Sequence, residues 1–543
     1  MKTLYKKLNN NHIFYFFAVV ITLIWIHELN YLFYNIVDGP DFQKYKVYLN
    51  YFFEEQTSTG QEQGLIYFYI QAINLKIFYS DIGLSDLILH KSILQVNLLF
   101  YIITQIGIYK LLSLLKFDKK NIYLTLLFLN FFPPMITLRL TFKPEILALA
   151  MLPWIVYYLE LFLNNKEIIN LYKIIPFLIA AITSKGNILI IVSSYLFFVY
   201  GKIFFKNFNK NIGIAIFILI SLFFAISSEN NAANNKNLLD IQSGSAKESN
   251  YDFKASPTVV FRTNLFKLFT SPKKHDHANS FIAITLLETS GDYFDLYWDN
   301  DAVPYFKNRK EIINFEESNL LVAPKLNLDT MTITITQQKK TDVYVRESLG
   351  MIISLLLFSI FIKLFVNDKE YRKYYSAIFF GMAIILLHSI TGFPKNNYDP
   401  LVSDTFKPTY YSFVFIFSFS FFIARALTLK VIKNKYIFIY GILIIFILGF
   451  PKYNNENLQS DLYPNVQTSI FCNIEKNLVL TATQFNSLQC DKDLKTNFKD
   501  NNFLKLRIEP FNLLLSIIIF CILFSELYKE LIHINLFKIP KKE

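Results

Sequence analysis

The sequence predicts an all-α polytopic membrane protein of about twelve transmembrane helices, with extracytoplasmic loops of which one forms a small α+β subdomain. Three observations predict it. Hydrophobic residues make up 53% and aromatic residues 17% of the 543-residue chain, against 18% charged, and mean hydropathy is +0.33, which a soluble domain of this length does not show. Apolar runs recur at lengths near the ~20 residues needed to cross hydrocarbon. Lysine and arginine concentrate in every second connection between those runs. The net charge of +12 therefore reports topology. Its cations lie in short clusters between apolar runs and not on one basic face, which argues against nucleic acid as a partner. Heavy use of Asn, Lys and Ile points to a low-GC genome, hence to a bacterium and its inner membrane.

The first run, about 12 to 34, follows Lys2, Lys6 and Lys7 like a signal peptide, but it lacks a small-residue cleavage site and is too long for an h-region. It is read as a retained helix. Further runs lie near 92–115, 122–137, 145–163, 174–184, 188–205, 212–227, 348–366, 375–393, 409–429, 436–450 and 511–527. The pieces at 122–137 and 174–184 are short, so they are expected to be tilted, broken or re-entrant.

Positive charge marks the cytoplasmic loops. Lys116, Lys119 and Lys120 follow the second run, Lys166 and Lys173 the fourth, and Lys202, Lys206 and Lys210 the sixth. Lys369, Arg372 and Lys373, then Lys430, Lys433 and Lys435, and finally the tail lysines 529, 538, 541 and 542 continue the pattern. Both termini are thus expected in the cytoplasm. The chain divides into an N-terminal transmembrane module (1–227) with an acidic first outward loop (35–91), a large extracytoplasmic loop (228–347), transmembrane helices (348–450), a second soluble loop (451–510), and a last helix with its tail (511–543). Within the large loop, Thr330–Thr336 alternates as a β-strand does, with Val343–Val345 as its expected partner. Cys472 and Cys490 share an outward loop, where an oxidising compartment allows a disulfide, while Cys521 stands alone in a span.

Polar residues at the outward ends of spans need an explanation. Asp38 and Asp41, in Val37-Asp38-Gly39-Pro40-Asp41, follow the first span at once. A partly buried carboxylate there can act as a general base, whereas the plainer role is to cap a helix end. Arg139 and Lys143, in an expected outward hairpin ending at Glu145, break the positive-inside pattern; Lys185 and Lys407 do the same. Cations so placed can hold a phosphate by charge-assisted hydrogen bonds or can snorkel to headgroups. Glu62 and Tyr67, the segment Asp292, Asp295 and Trp298, and Tyr410 combine acids with aromatic rings suited to a sugar's hydroxyls and faces. His275-Asp276-His277 carries ligand types for a divalent cation, but spacing alone does not make them converge, so no metal site is assigned. No Walker, Rossmann, zinc-finger or HExxH pattern occurs.

With a cytoplasmic N-terminus, a first span leading into Val37-Asp38-Gly39-Pro40-Asp41, amphipathic segments in that loop, many spans and large outward loops, the chain resembles the GT-C superfamily of membrane glycosyltransferases. That superfamily includes protein O-mannosyltransferases and aminoarabinose transferases. The resemblance implies inverting transfer of a sugar from a polyprenyl-phosphate donor to a glycan, lipid or protein acceptor at the periplasmic face. It implies that Asp38 or Asp41 deprotonates the acceptor hydroxyl, and that Arg139, Lys143, Lys185 and Lys407 stabilise the departing lipid phosphate. The acids here are spaced Asp-Gly-Pro-Asp where many members have them adjacent, and no WWDYG-like motif occurs. Two other classes share parts of this layout. An O-antigen polymerase or ligase would lean on Arg262, His275 and His277. A flippase or transporter would carry polar groups at midplane on broken helices.

Overall fold

In a computed structural model the described residues are 12–33, 42–53, 57–59, 64–79, 86–206, 210–234, 264–270, 280–291, 320–327, 332–375, 413–448 and 506–533. In chain order they form helices α1 (His12–Phe33), α2 (Phe42–Phe52), α3 (Ile66–Tyr79), α4 (Asp86–Leu114), α5 (Lys119–Phe131), α6 (Pro133–Leu140), α7 (Glu145–Asn165), α8 (Ile168–Ser184), α9 (Gly186–Lys206) and α10 (Lys210–Ala233). After α11 (Leu265–Thr270) and α12 (Phe281–Ser290) come strands β1 (Leu320–Asn327) and β2 (Thr332–Lys339). Helices α13 (Lys340–Asn367), α14 (Arg372–Tyr375), α15 (Phe413–Thr428), α16 (Asn434–Leu448) and α17 (Pro510–His533) follow. Among the described residues, five helices are long and apolar enough to cross a membrane, or six if the bent pair α5–α6 is one span. Of the other expected runs, those near 12–34, 174–184, 188–205, 409–429 and 436–450 fall on α1, α8, α9, α15 and α16, which are not among those five or six, and 375–393 lies almost wholly outside the described residues, as do Cys472 and Cys490.

Helix α7 is the centre of the bundle, packed between α4 and α8, with 83% of its apolar window buried. Helix α10 is peripheral at 17% buried. Its exposed face carries Ile216, Phe217, Ile220 and Phe224, an apolar surface suited to lipid. Pro153 lies inside α7, and Gly107 of α4 lets the two helices approach: a Cβ on Gly107 would stand 2.8 Å from the Pro153 Cβ.

The short run near 122–137 is broken. Phe132 is extended (φ −73°, ψ 114°) ahead of Pro133 and Pro134, as sterics require before proline, and α5 and α6 meet at a 61° bend. The run near 174–184 is instead lengthened at its start into the full helix α8.

The basic loops gather at one end. Tyr371 Oη donates to the Leu115 carbonyl (3.1 Å), and Asn121 Nδ2 to Thr428 Oγ1 (3.3 Å). Arg425 grips Asp368 at 2.8 and 3.2 Å and Glu370 at 2.9 Å. Lys373 pairs with buried Glu160 at 3.3 Å, which also accepts from Tyr200 (2.9 Å) and Tyr374 (2.5 Å). Lys116, Lys166 and Lys430 adopt positive φ of 62°, 59° and 56° just past helix ends. A left-handed residue there closes the helix, and its cation faces the negative end of the dipole.

The opposite end is tied by contacts remote in sequence. Thr59 N–H donates to the Ala233 carbonyl and Gly64 N–H to the Ser184 carbonyl, both at 2.9 Å. Gly64 must be glycine, because a Cβ would stand 1.7 Å from the Thr183 carbonyl oxygen. Glu229, on α10, accepts from the backbone N–H groups of Phe511 (3.0 Å) and Asn512 (2.9 Å). It thereby satisfies two orphan donors at the start of α17 with a negative charge. Beside it, Tyr51 Oη donates to Glu509 at 2.5 Å, Arg507 N–H to the Phe52 carbonyl at 2.8 Å, and the Arg507 guanidinium lies 4.1 Å from the Tyr51 ring centre.

Burial raises the Glu509 carboxyl above its ordinary range, despite the Tyr51 hydrogen bond, and pushes the Tyr51 phenol up to about 12. A carboxyl raised on folding stabilises most below its unfolded pKa and loses that contribution as pH rises through the folded value. Glu509→Gln should therefore gain thermal stability relative to the parent between pH 4 and pH 7. Melting in detergent across that range checks it, and a difference that stays flat or reverses contradicts the assignment.

Of the expected strand at 330–336, residues 332–336 fall in β2 (Thr332–Lys339), and its partner is corrected. Val343–Val345 belongs to α13, whose apolar sequence recruits those residues into its first turns, and β2 pairs instead with β1, antiparallel from Leu320↔Lys339 to Asn327↔Thr332. The strand β2 then runs straight into α13.

Candidate functional site

Four residues singled out in the sequence come together where α3, α6, α7 and the α8–α9 junction meet. Arg139, Lys143 and Tyr67 are buried, and Lys185 is nearly so. The residues from Leu138 to Glu145 are not an exposed hairpin. The 61° bend turns α6 into the bundle, so the segment after it is enclosed by α2, α3 and α4 and does not project outward. Its cations are thus out of reach of lipid headgroups.

Asn97, in the middle of α4, fixes this segment. Its Nδ2 donates to the carbonyls of Arg139 (3.0 Å) and Thr141 (2.8 Å), and its Oδ1 accepts from Tyr67 Oη at 2.9 Å. Carbonyls left open at the end of α6 are satisfied this way. One turn further along α4, the Tyr101 ring centre lies 4.6 Å from the Arg139 guanidinium carbon, a cation–π contact strengthened by exclusion of water. His27, near the end of α1, is close enough to feel the Arg139 charge.

Below Tyr101 the polar track continues. Tyr101 Oη donates to Asn130 Oδ1 (2.8 Å), and Gln105 Nε2 donates to both Tyr101 Oη (2.7 Å) and Asn130 Oδ1 (2.5 Å). Asn130 Nδ2 reaches the Val19 carbonyl (3.0 Å) and Thr22 Oγ1 (2.9 Å) on α1. Each such interhelical bond in an apolar surround contributes on the order of 0.6–2 kcal/mol. Asn97, Tyr101 and Gln105 recur every four residues on one face of an otherwise apolar helix. That spacing was available in the sequence and marks residues that sequence reasoning passed over.

Glu145 is the other. Fully buried, it meets Lys185 Nζ through Oε1 at 2.7 Å, while Oε2 has no hydrogen-bond partner among the described residues. Lys185 is held there because α8 stops at Ser184 and α9 starts at Gly186, leaving one extended residue (φ −164°, ψ 143°) between them. Lys143 Nζ lies 6.0 Å from the Tyr45 ring centre on α2, and that ring contacts Phe68 and Phe142. The arrangement is a buried Lys185–Glu145 ion pair with two further buried cations, Arg139 against Tyr101 and Lys143 near Tyr45, on the neighbouring segment. It suits an anion, and it offers an acceptor oxygen beside it for a hydroxyl.

Tyr67 is enclosed with its hydroxyl committed to Asn97, so it shapes the wall of the cluster. Asp38, Asp41, Glu62, Asp292, Asp295, Trp298, Lys407 and Tyr410 lie outside the described residues, as do Arg262, His275 and His277. Among the described residues no three His, Cys, Asp or Glu side chains converge as metal ligands. Comparison with protein-family models, with curated proteins and with solved structures found no match to this chain.

Proposed function

We propose that the chain is an integral membrane glycosyltransferase of GT-C type that transfers a sugar from a polyprenyl-phosphate donor to an acceptor hydroxyl at the extracytoplasmic face. The observation that carries this reading is the burial of Arg139 and Lys143 on the segment fixed by Asn97 and Tyr67, with the Lys185–Glu145 ion pair at the adjoining α8–α9 junction. In low dielectric such a group favours a dianionic leaving phosphate far more than water does. Helix α2, which supplies Tyr45 to this cluster, begins one residue after Asp41. In this mechanism Asp38 or Asp41 takes the proton of the attacking hydroxyl, the acceptor oxygen bonds to the anomeric carbon with inversion, and the departing phosphate keeps the bond electrons. Arg139, Lys143, Lys185 and Lys407 stabilise its charge. Glu145, Glu62 and Tyr410, with Asp292, Asp295 and Trp298 from the large loop, are the proposed contacts to sugar or acceptor.

The proposed topology has twelve crossings, both termini and the basic end in the cytoplasm, and the α+β subdomain outside. Its support is that α14 ends among the basic loops, while α15 reaches them only at its far end through Arg425 and Thr428. An even number of crossings follows if the chain changes sides between them.

The test is transfer of radiolabel from a polyprenyl-phosphate sugar in membranes. Asp38→Asn or Asp41→Asn should abolish transfer at unchanged expression, and full activity in both variants would remove the general-base assignment. A second reading, movement of a lipid-linked glycan across the bilayer, draws on the bent α5–α6 pair and the polar track at Asn97, Tyr101, Gln105 and Asn130, which are features of transporters. It predicts instead that lipid flips across vesicle membranes without covalent transfer.

A further inference from the structure

A second cluster of charge lies at the basic end, remote from the Arg139 site. Glu526 on α17 is buried and is shared by three lysines: Lys529 Nζ at 2.8 Å, Lys173 Nζ of α8 at 3.4 Å and Lys110 Nζ of α4 at 3.9 Å. The side chains grade from inside to outside, being 10% exposed at Lys110, 22% at Lys173 and 52% at Lys529. Lys173 Nζ also stands 5.1 Å from the Tyr158 ring centre. One carboxylate thus serves three cations at the seam of three helices, and the seam opens outward through Lys529.

Depth and surroundings say what occupies it. Glu526 lies sixteen residues beyond Pro510, the first residue of α17. At 1.5 Å per residue that is ~24 Å along the helix, close to the ~30 Å thickness of bilayer hydrocarbon. The cluster therefore sits near the hydrocarbon–headgroup boundary on the basic side, within reach of a lipid phosphate for long lysine side chains. On the same helix Phe511, Leu514 and Ile518 are exposed and, spaced at whole turns from Lys529, form an apolar strip on its face for acyl chains. A soluble anion would use the cations and have no use for that strip.

We propose that the seam of α4, α8 and α17 is a binding site for the headgroup of an anionic phospholipid. The phosphodiester is held by Lys173 and Lys529, with Lys110 behind them and the acyl chains along the exposed strip of α17. Glu526 keeps the three ammonium groups together when the site is empty, so the cluster is preorganised. This site depends on the membrane reading alone and stands whether or not the chain transfers sugar.

The test uses the full chain in nanodiscs, measuring retention of phosphatidylglycerol against phosphatidylcholine by native mass spectrometry. Lys173→Gln with Lys529→Gln keeps the Lys110–Glu526 pair and should lower retention of phosphatidylglycerol by about tenfold or more. Lys173→Arg with Lys529→Arg should preserve it. Lys430→Gln with Lys433→Gln, elsewhere on the basic end, should leave it unchanged. Equal retention of both lipids by the parent overturns the proposal, as does an unaltered preference in the Lys173/Lys529 glutamine variant. An equal loss in the Lys430/Lys433 variant overturns it too, since generic surface charge would then suffice. Displacement of the lipid by an equal concentration of glycerol phosphate would show a soluble-anion site and likewise refute the lipid assignment.

Discussion

Replacing Arg139 by methionine should lower sugar transfer by at least about a hundredfold, the scale seen when one preorganised charge-stabilising group is lost, while leaving the protein in the membrane and folded. Methionine can occupy the space against the Tyr101 ring without the charge. The carbonyl hydrogen bonds from Asn97 depend only on the backbone of residue 139, so the local scaffold should survive. Arg139→Lys should fall between the two. A lysine keeps a positive charge but loses the planar fork that stacks on Tyr101 and grips phosphate oxygens two at a time. Initial rates of label transfer at saturating donor, with melting temperature as a control, are the measurement. A methionine variant that keeps more than a tenth of the parent rate would show that the guanidinium plays no part in transition-state charge.

The second large effect is on stability. Lys185→Met should destabilise the protein by about 3 kcal/mol or more, because it strands the Glu145 carboxylate with no counter-ion in a fully buried place. Glu145→Gln should cost less, since the lysine is slightly exposed and can reach toward water. The double variant Glu145→Gln with Lys185→Met should recover most of the loss, since an uncharged pair of similar volume no longer has to desolvate an ion. Chemical or thermal denaturation of the four proteins closes the cycle. If the double variant is as unstable as the sum of the singles, the two side chains are not coupled and the 2.7 Å contact carries no energy.

Alternation of the basic loops was legible because charge in a loop is a local property of composition. Lys116, Lys166, Lys373 and Lys430 needed no knowledge of packing to be assigned to one end, and the contacts of Leu115, Glu160, Asp368 and Thr428 draw those loops together. The shortness of the run at 122–137 likewise signalled a break, which Pro133 makes. Pairing across distance was not legible. Glu145 meets Lys185 only because α8 returns antiparallel to α7, and forty residues of intervening sequence hold no record of which turn faces which. The same limit explains the misplaced strand partner. Val343 has the β-branched character of a strand, yet tertiary membership in the long apolar α13 overrode it. It also explains why Arg139 and Lys143 read as rim cations: their enclosure comes from a bend whose direction no single residue encodes.

The carboxylate at the start of α17 has a consequence for assembly. Glu229 is synthesised some 280 residues before the amide groups it caps. During translation it leaves the ribosome long before its mate exists, so that end of the bundle stays unlatched until α17 has been made. A ribosome that stalls or terminates before residue 510 would thus release a chain whose early helices are made but whose seam at that end is open. Quality-control proteases working at that surface would meet truncated chains already unfastened, whereas the finished chain presents them with a closed clasp.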